Sequence, residues 1–461
     1  MDKIDVKRLL DTLKSTDIFG FGTESLKSES VWQRHLRLNT ADQIDFSKNV
    51  NKKTVLNYDS LFANRVLSYL YERDMVFLPN KNHKIGKNSD FYKFYSLNCN
   101  ECCALLRFFL EEYCLSFINE EVQVSGNWTK KKFLEYYQER TKKVSFPILD
   151  KLVHFKNREI AVKILLIQHS LDFLVEASHM TKIIGGDFGE IQSELFKILI
   201  DEFGYGVHKT KHSQLFKKTL ESICLESNSH AYWQFYQTST LLLNNLFHYM
   251  TSNKQHFFKY LGAILLAEQV FGPYCKKVSE ILTSVFPDNV NRDYYLEHEH
   301  IDKYHGQMML NNVVLKVIDL YGECIIPEIV KGIEYTLYIQ ELSDNDFIEQ
   351  IKWIEKKDYY KSIGSKIKDS VLSDVFITGL TFNESYKELS TTHVHDQDEL
   401  CIVNSGRMKF INGFESYTIL EQGEATIIKK NRLHGAIIDS KECNYTVYPI
   451  GSYKKYVANN S

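Results

Sequence analysis

The pattern of apolar and polar positions divides the chain into a long helical part and a shorter part built from strands. Between residues 131 and 322, apolar side chains recur with the 3.6-residue period of amphipathic helices. Gly204 and Pro287 are among the breakers that separate the helical segments. The predicted helices are 160–184, 190–203, 212–224, 230–250, 257–282 and 292–320. We expect them to form a helical bundle.

After Ser370 the apolar period falls to two, which is the period of β-strands. Short strand-like segments include residues 400–403, 408–411 and 425–428. The pairs between them, Ser405-Gly406, Asn412-Gly413 and Gln422-Gly423, are typical of tight turns. This spacing predicts a small β-barrel at the end of the chain.

The domain organisation follows from these patterns and from the length of 461 residues, which exceeds what one hydrophobic core can hold. We predict a multidomain α plus β protein with four segments. Residues 1–130 form a helical domain that carries apolar faces but no chemistry, so we expect a homodimer interface there. The others are a helical bundle at 131–325, a charged helical linker at 326–365 and a barrel at 366–461.

Composition narrows the class of protein. Charged residues make up 25% and apolar residues 44%, as in an ordinary globular protein, and the net charge of −3 favours neither nucleic acid nor an anionic membrane as partner. The first ten residues are too charged for a signal peptide, and no apolar stretch is long enough to cross a bilayer. The nine cysteines lack the spacing of a disulfide framework. We expect a cytoplasmic protein.

Three histidines of the strand region have the spacing of a metal site. His393 and His395 lie two residues apart, so on a strand they point to the same face. His434, 39 residues after His395, can close a three-nitrogen site. A plain barrel with buried structural histidines is the alternative reading. Together with Glu399, Gly406 and Gly423, these residues resemble the two signature motifs of the cupin family.

The cupin resemblance implies a small barrel that holds one iron through His393, His395 and His434. Glu399 is then a fourth ligand or a residue that orients the ligands. Tyr445 is expected to face the barrel interior with a catalytic role, although simple packing explains it equally well. The second motif departs from the family, because Lys429, Asn431 and Ile438 stand where proline, glycine and asparagine are usual. A degenerate barrel site therefore stays open.

The predicted bundle carries ionisable residues on apolar helices. The segment 160–184 has His169, Asp172, Glu176 and His179 on one side, and Glu268 lies in another apolar helix. His298, Asp302 and His305 share one stripe of a third helix. Isolated carboxylates seldom face a core unless they are paired or bound to a metal. Each residue alone also fits an ordinary core position, and the stripe equally fits a solvated face.

The order of these residues across successive helices resembles the haem-oxygenase-like di-iron oxidases and oxygenases. The resemblance implies two Fe(II) ions in the bundle. The ligands it implies are Glu176, His212, Glu268, His298, Asp302 and His305. Glu202 matches an extra carboxylate of the members that oxygenate nitrogen, and it is expected to act both as a ligand and in catalysis. Bundle and cupin on one chain together resemble the family of N-nitrosourea-forming enzymes of streptozotocin biosynthesis.

This family resemblance implies a function. The bundle would N-hydroxylate a guanidine or amine of an amino acid similar to N-methyl-arginine, and the cupin iron would rearrange the product to an N-nitroso compound. O2 would be the co-substrate, and an external donor would supply electrons. Two alternatives stay open. The bundle could cleave C–C or C–N bonds instead, and the cupin could act as a metabolite sensor.

Overall fold

The computed structural model describes residues 5–14, 44–75, 92, 95–185, 189–229, 231–288, 290–387 and 390–458. The chain forms two compact units. The sheet unit comprises Met1–Cys114, Tyr232–Thr238 and Asp346–Ser461, and the helical unit comprises Leu115–Ala231 and Ser239–Asn345. Within the described ranges, no helix combines the length and the apolar character that a membrane crossing requires.

The α-helices are numbered in chain order. They are α1 (Val6–Lys14), α2 (Tyr58–Arg73), α3 (Leu97–Leu115), α4 (Ile118–Glu121), α5 (Lys130–Lys142), α6 (Pro147–Leu152), α7 (Arg158–Phe173), α8 (Glu190–Glu202), α9 (His212–Ser222), α10 (Thr238–Ser252), α11 (Phe257–Val285), α12 (Asp293–Met308), α13 (Leu315–Tyr321), α14 (Ile326–Glu355), α15 (Lys357–Leu372) and α16 (Lys454–Ala458). A π-helical turn, Met309–Val314, makes α12 and α13 one continuous run.

The helical unit is held together by close helix packing. A methyl group added at Gly262 of α11 would lie 1.9 Å from the carbonyl oxygen of Ile329 in α14. The same addition at Gly332 of α14 would lie 1.8 Å from the carbonyl oxygen of Lys259 in α11. Any side chain at either position would therefore force the two helices apart. Glycine at both positions allows the two backbones to touch.

The predicted helix 160–184 is wrong over its second half. Helix α7 ends at Phe173, Glu176 lies in the turn that follows, and Ala177 has a φ of 56°. A 3-10 helix, Ser178–Lys182, completes the segment. Apolar residues of the turn, such as Leu174, are buried as they would be in a helix. The apolar pattern therefore continues across the break and conceals it.

A second predicted helix, 230–250, begins later than expected. His230 lies outside the described residues, and Trp233–Phe235 forms a 3-10 turn before α10 begins at Thr238. Tyr232, Trp233 and Phe235 are nevertheless buried. Burial of this turn produces the same apolar signal as a helix. The other four predicted helices agree with α8, α9, α11 and the run from α12 to α13.

The sheet unit contains seven strands among its described residues. They are β1 (Leu380–Ser385), β2 (Asp398–Ser405), β3 (Arg407–Gly413), β4 (Ser416–Glu421), β5 (Ala425–Ile428), β6 (Gly435–Ile438) and β7 (Glu442–Gly451). One sheet has the order β1-β7-β2-β5 and the other β4-β3-β6, with antiparallel pairing throughout. The core between them includes Val403 of β2, Phe410 of β3 and Leu420 of β4.

Helices cover the strands of the sheet unit. Ile363 and Ile367 of α15 pack against Leu400 and Ile427 of the four-stranded sheet. At Gly364, an added methyl group would lie 2.8 Å from Thr426 Cα, so this helix lies directly on β5. The predicted linker 326–365 is helical, because it consists of α14 and the first part of α15. From Asp346 onward it belongs to the sheet unit.

Residues 1–130 do not form a domain of their own, because they are divided between the two units. Helices α1, α2 and most of α3 belong to the sheet unit, and residues 115–130 belong to the helical unit. Residues 1–4, 15–43, 76–91 and 93–94 of the segment lie outside the described residues. Its predicted role in forming a homodimer stays a prediction.

Candidate metal centres

The first metal-binding group of the helical unit is formed by four buried side chains. Glu176 comes from the turn after α7, Glu202 from the end of α8, His212 from the start of α9 and His298 from α12. One ligand atom of each lies within 4.8 Å of the others. We call these four residues cluster A. Its members come from four separate segments, so only the folded chain brings them together.

The contacts inside cluster A are those of ligands around a common point. His212 Nδ1 lies 2.6 Å from Glu202 Oε2, and His298 Nε2 lies 3.3 Å from Glu176 Oε1. Several of these buried atoms have no hydrogen-bond partner of suitable geometry among the described residues. They are His212 Nδ1, Glu202 Oε2, Glu176 Oε2 and both ring nitrogens of His298. Unsatisfied buried polar atoms are costly and rare. A cation at their centre would satisfy them together.

A second group adjoins the first. Glu268 of α11 and Asp302 and His305 of α12 again have ligand atoms within 4.8 Å of one another, and we call them cluster B. His305 Nδ1 lies 3.2 Å from Glu268 Oε2 and 3.8 Å from Asp302 Oδ1. Both Asp302 oxygens lack a hydrogen-bond partner within the described chain. His298 Nδ1 of cluster A lies 3.5 Å from Asp302 Oδ1, which joins the two clusters.

Two glycines allow α11 and α12 to present these ligands to each other. A methyl group added at Gly272 would lie 3.3 Å from Asp302 Cβ, and one added at Gly306 would lie 3.2 Å from the carbonyl oxygen of Glu268. Larger residues at either position would push a ligand outward. The close approach of α11 and α12 therefore determines how near Glu268 lies to Asp302 and His305 in cluster B.

The electrostatics of cluster B also suit a cation. Burial raises the pKa of Glu268 to about 7 and raises the pKa of Asp302. Burial works against protonation of His305, but the hydrogen bond and charge of Glu268, with a contribution from Asp201, raise the pKa of His305 to about 9. Protons thus partly neutralise the cluster near neutral pH. A divalent metal would displace these protons and supply the positive charge instead.

Asp201 is a functional residue that sequence reasoning missed. Its Oδ2 lies 2.8 Å from His305 Nε2, so the other ring nitrogen, Nδ1, faces Glu268 and Asp302. A carboxylate behind a histidine commonly orients that ring toward a metal. The one hint in the sequence to a role for Asp201 was its position directly before the predicted ligand Glu202. Neighbouring helical residues point about 100° apart, however, so the sequence alone does not show which histidine Asp201 contacts.

Not every ionisable residue noted on the segment 160–184 joins the clusters. His169 lies between the hydroxyl groups of Tyr295, 3.1 Å away, and Tyr274, 2.7 Å away. Burial lowers its pKa to about 3. His169 is therefore a neutral core histidine with both ring nitrogens satisfied.

The three histidines of the sheet unit converge as well. The ring centroids of His393, His395 and His434 lie 4.5–4.8 Å apart, and one nitrogen of each lies within 4.8 Å of the others. The backbones of His393 and His434 form a two-way antiparallel bridge, with both N–H to oxygen distances 3.0 Å. Backbone pairing therefore positions two of the three rings.

Backbone carbonyls also orient these rings. His393 Nδ1 lies 2.7 Å from the oxygen of Thr391, and His434 Nδ1 lies 2.9 Å from the oxygen of Arg432. With Nδ1–H donating to a carbonyl, Nε2 becomes the free nitrogen that can bind a metal. Burial lowers the pKa of all three histidines, that of His395 to about 3. Neutral imidazoles are the form that binds metal.

Two comparisons with known proteins identify the family of the chain. Residues 163–338 match the family described as iron-containing redox enzyme, and this range contains every member of clusters A and B. The chain is 40% identical over 436 residues to nitrosourea synthase from Streptomyces achromogenes subsp. streptozoticus, which covers 93% of this chain and 92% of the relative. The chain belongs to the nitrosourea synthase family. It is an iron-dependent oxidative enzyme.

Two expectations are thereby confirmed for this member of the nitrosourea synthase family. The resemblance to N-nitrosourea-forming enzymes holds over nearly the whole chain. The fold class is also as predicted, with a haem-oxygenase-like helical part and an antiparallel sheet region in the C-terminal part, between Leu380 and Gly451.

Glu399 of this nitrosourea synthase family member lies beside the three histidines. Its Oε2 is 3.1 Å from His395 Nε2 and has no hydrogen-bond partner among the described residues. Burial raises the pKa of Glu399 to about 7. Its oxygens are nevertheless outside the histidine group whose atoms all lie within 4.8 Å. This position suits a residue that orients His395 or contacts a bound ligand.

Tyr445 lies on β7 and faces the core between the two sheets. Its ring stacks on Phe382 with the centroids 5.2 Å apart, and it shares a buried cluster with Val403 and Phe410. The Phe410 ring stacks in turn on His434, 5.5 Å away. Burial raises the pKa of Tyr445, so its hydroxyl group keeps its proton.

Several residues that support the histidines come from distant parts of the chain. Gln350 of α14 exchanges two hydrogen bonds of 2.9 Å with the backbone of Leu433, next to His434. Arg65 of α2 is fully buried and donates to the carbonyl oxygen of Thr392, 2.8 Å away and next to His393. Sequence reasoning missed both residues, because neither belongs to a local motif.

Proposed function

We propose that this protein is a two-site iron oxygenase that converts an arginine-like amino acid into an N-nitroso compound. The helical unit N-hydroxylates a guanidine nitrogen, and the cupin-like sheet unit rearranges the hydroxylated product. One observation carries the proposal. Seven buried ligand-type side chains form the adjoining clusters A and B, and five of them have atoms that lack a hydrogen-bond partner in the described chain.

The helical unit would hold two Fe(II) ions in clusters A and B, and the sheet unit would hold one through its three histidines. Iron in both places would supply the activation of O2. The ligand sets suit this, because carboxylates and imidazoles are the usual protein ligands of non-haem iron. Each hydroxylation by O2 that releases water consumes two electrons. We therefore include an external electron donor as a partner.

Within the helical unit, the carboxylate of Glu202 would balance charge and take part in catalysis. It lies against His212 and has an oxygen without a hydrogen-bond partner in the described chain. Tyr294 donates a hydrogen bond of 2.6 Å to Glu176 Oε1, which holds that carboxylate in a fixed orientation. Asp201 would do the same for His305. These two contacts would fix the orientation of one candidate ligand in each cluster.

Within the sheet unit, three neutral histidines leave open positions for a chelating substrate and O2. Glu399 would orient His395 or act as a fourth ligand. Tyr445 would be the catalytic residue of this site. Its hydroxyl group keeps its proton, and its ring belongs to the same buried cluster as Phe410, which stacks on His434.

The protein would act on a small molecule in the cytoplasm, with neither nucleic acid nor membrane as partner. Light scattering of the full chain tests the proposed homodimer.

The test is anaerobic loading with Fe(II), followed by mixing with O2, N-methyl-arginine and a chemical electron donor such as ascorbate. Products are detected by mass spectrometry. We expect products that have gained one and two oxygens, and then an N-nitroso product. Cleavage fragments without oxygenated arginine would instead favour an oxidase that breaks C–C or C–N bonds. Oxygenated arginine without any N-nitroso product would leave the sheet unit as a metabolite sensor or a degenerate site.

A further inference from the structure

Asp172 is a carboxylate that neither metal cluster uses. It lies in the last turn of α7, four residues before Glu176. Protein atoms surround it on most sides, and part of its surface stays accessible. Among the described residues, no hydrogen-bond donor or cation contacts its carboxylate, and it is outside the ligand groups. Asp172 is therefore a partly buried carboxylate whose charge no described cation balances.

This position is unfavourable for a negative charge in the protein alone. Burial raises the pKa of Asp172 to about 7, and the charges of Glu176 and Glu202 act in the same direction. The C-terminal end of a helix also repels anions, because the helix dipole is negative there. Asparagine would occupy the same space without these costs. The carboxylate consequently has no stabilising role that the structure explains.

Two other polar groups near these carboxylates are unsatisfied. The hydroxyl group of Tyr260 and the Nε2 atom of His179 are buried and lack hydrogen-bond partners in the described chain. Their ring centroids are 5.8 Å apart. The charge of Asp172 acts on Tyr260, and the charge of Glu202 acts on His179, so both lie near the carboxylates. An anion, a hydroxyl and an imidazole thus border the metal ligands.

We propose that Asp172 binds the cationic guanidinium of the substrate, with Tyr260 and His179 contributing further hydrogen bonds. This inference rests on the proposed function of the helical unit. A guanidinium has a planar array of N–H donors that pairs with a carboxylate through two parallel hydrogen bonds. Its positive charge also offsets the carboxylates of cluster A. A neutral urea of the same length supplies fewer donors and no charge.

The experiment compares the wild type with Asp172→Asn, both loaded with iron and kept anaerobic. Binding of N-methyl-arginine, a cation, and of citrulline, a neutral urea, is measured by calorimetry. We expect Asp172→Asn to bind N-methyl-arginine about 30-fold more weakly and citrulline within about threefold of the wild type. The ratio of the two affinities reports charge recognition. A general loss of folding would weaken both ligands together.

Asp150→Asn is the matched control. It removes the same charge from an exposed residue of the helical unit, whose carboxylate is 3.1 Å from Lys277 Nζ. We expect this variant to keep the wild-type ratio. Iron content is measured for every variant, and Asp172→Asn should hold as much iron as the wild type.

Three results would overturn the inference or its basis, and they can be told apart. If Asp172→Asn keeps the wild-type preference for the cation, Asp172 does not bind the guanidinium. If the variant loses iron, Asp172 is a metal ligand and the inference is wrong. If the wild type neither binds nor oxygenates any arginine derivative, the proposed function itself fails, whatever the variant does.

Discussion

The two candidate metal-binding regions differ in charge, because one is rich in carboxylates and the other is neutral. Clusters A and B of the helical unit bring four carboxylates together, Glu176, Glu202, Glu268 and Asp302, with three histidines. The sheet unit uses three histidines whose pKa values are lowered by burial, so they are neutral without a metal. A cation relieves repulsion in the first region and meets a preformed neutral site in the second.

The two regions also differ in how the backbone positions the ligands. His393 and His434 are joined by a two-way backbone bridge, and backbone carbonyls orient both rings. The ligands of cluster A come from four segments, and Glu176 lies in a turn outside α7. Rigid backbone pairing predicts a site that exists before metal binds. We expect the helical site to depend more strongly on its metal.

Loss of a ligand in the helical unit should have the largest effect. Asp302→Ala removes the carboxylate that lies between His298 and His305. We expect N-hydroxylation to fall by more than about 100-fold, because even residues behind a metal ligand contribute up to that much. The single-turnover yield of oxygenated arginine measures it. Glu297→Ala, on an exposed position of the same helix, should retain full activity.

His434→Ala tests whether the two sites are independent. Removal of one of three ligands should abolish formation of the N-nitroso product and lower the iron content by one ion per chain. Hydroxylated arginine should accumulate, because clusters A and B remain complete. His300→Ala, an exposed histidine of α12, is the matched control. If His434→Ala also stops hydroxylation, the separation of the two regions is wrong.

The carboxylate-rich region and the neutral region should show opposite pH dependence of stability in metal-free protein. The pKa of Glu268 is raised to about 7, so between pH 4.5 and 7 the folded protein binds more protons than the unfolded chain. The pKa of His305, raised to about 9, has the same effect at higher pH. Both contributions lower the free energy of unfolding as the pH rises.

Glu268→Gln tests these contributions together, because Glu268 also raises the pKa of His305. We expect the unfolding free energy of metal-free Glu268→Gln to exceed that of the wild type by an amount that grows by about 1–3 kcal/mol as the pH rises from 5 to 8. Urea unfolding at several pH values measures the difference. Glu190→Gln, on an exposed residue, should show no such trend. A constant difference across the pH range would contradict the assigned pKa of Glu268.

His395 should show the reverse trend. Burial lowers its pKa to about 3, so between pH 3 and 6.5 the folded protein binds fewer protons than the unfolded chain and is stabilised as the pH rises. In metal-free His395→Gln, the rise in unfolding free energy from pH 4 to 7 should be smaller than in the wild type. An unchanged rise would mean that His395 is more solvated than its burial indicates.

Asp201→Asn should have the smallest of these effects. The variant weakens the contact with His305 Nε2 but leaves every ligand in place. We expect the affinity of the helical unit for iron to fall about tenfold, while the sheet unit keeps its iron. Competition with a chelator measures both. Unchanged affinity would show that packing alone orients His305.

Local spacing predicted which of the candidate ligands share one face of a strand or helix. Two residues on a strand share a face, and residues three and four apart on a helix share a stripe. His393 with His395, and His298 with Asp302 and His305, follow from this periodicity alone. The change of period after Ser370 likewise located the strand region. These features depend on neighbouring residues, so the sequence contains them.

Only the tertiary structure determined how the segments meet. The end of α7 at Phe173 was invisible, because the turn that holds Glu176 is buried as deeply as a helix. The contact of Asp201 with His305 depends on two helices 104 residues apart in the chain. Arg65 reaches Thr392 across 327 residues. Burial and long-range packing decide such contacts, and they leave no local pattern in the sequence.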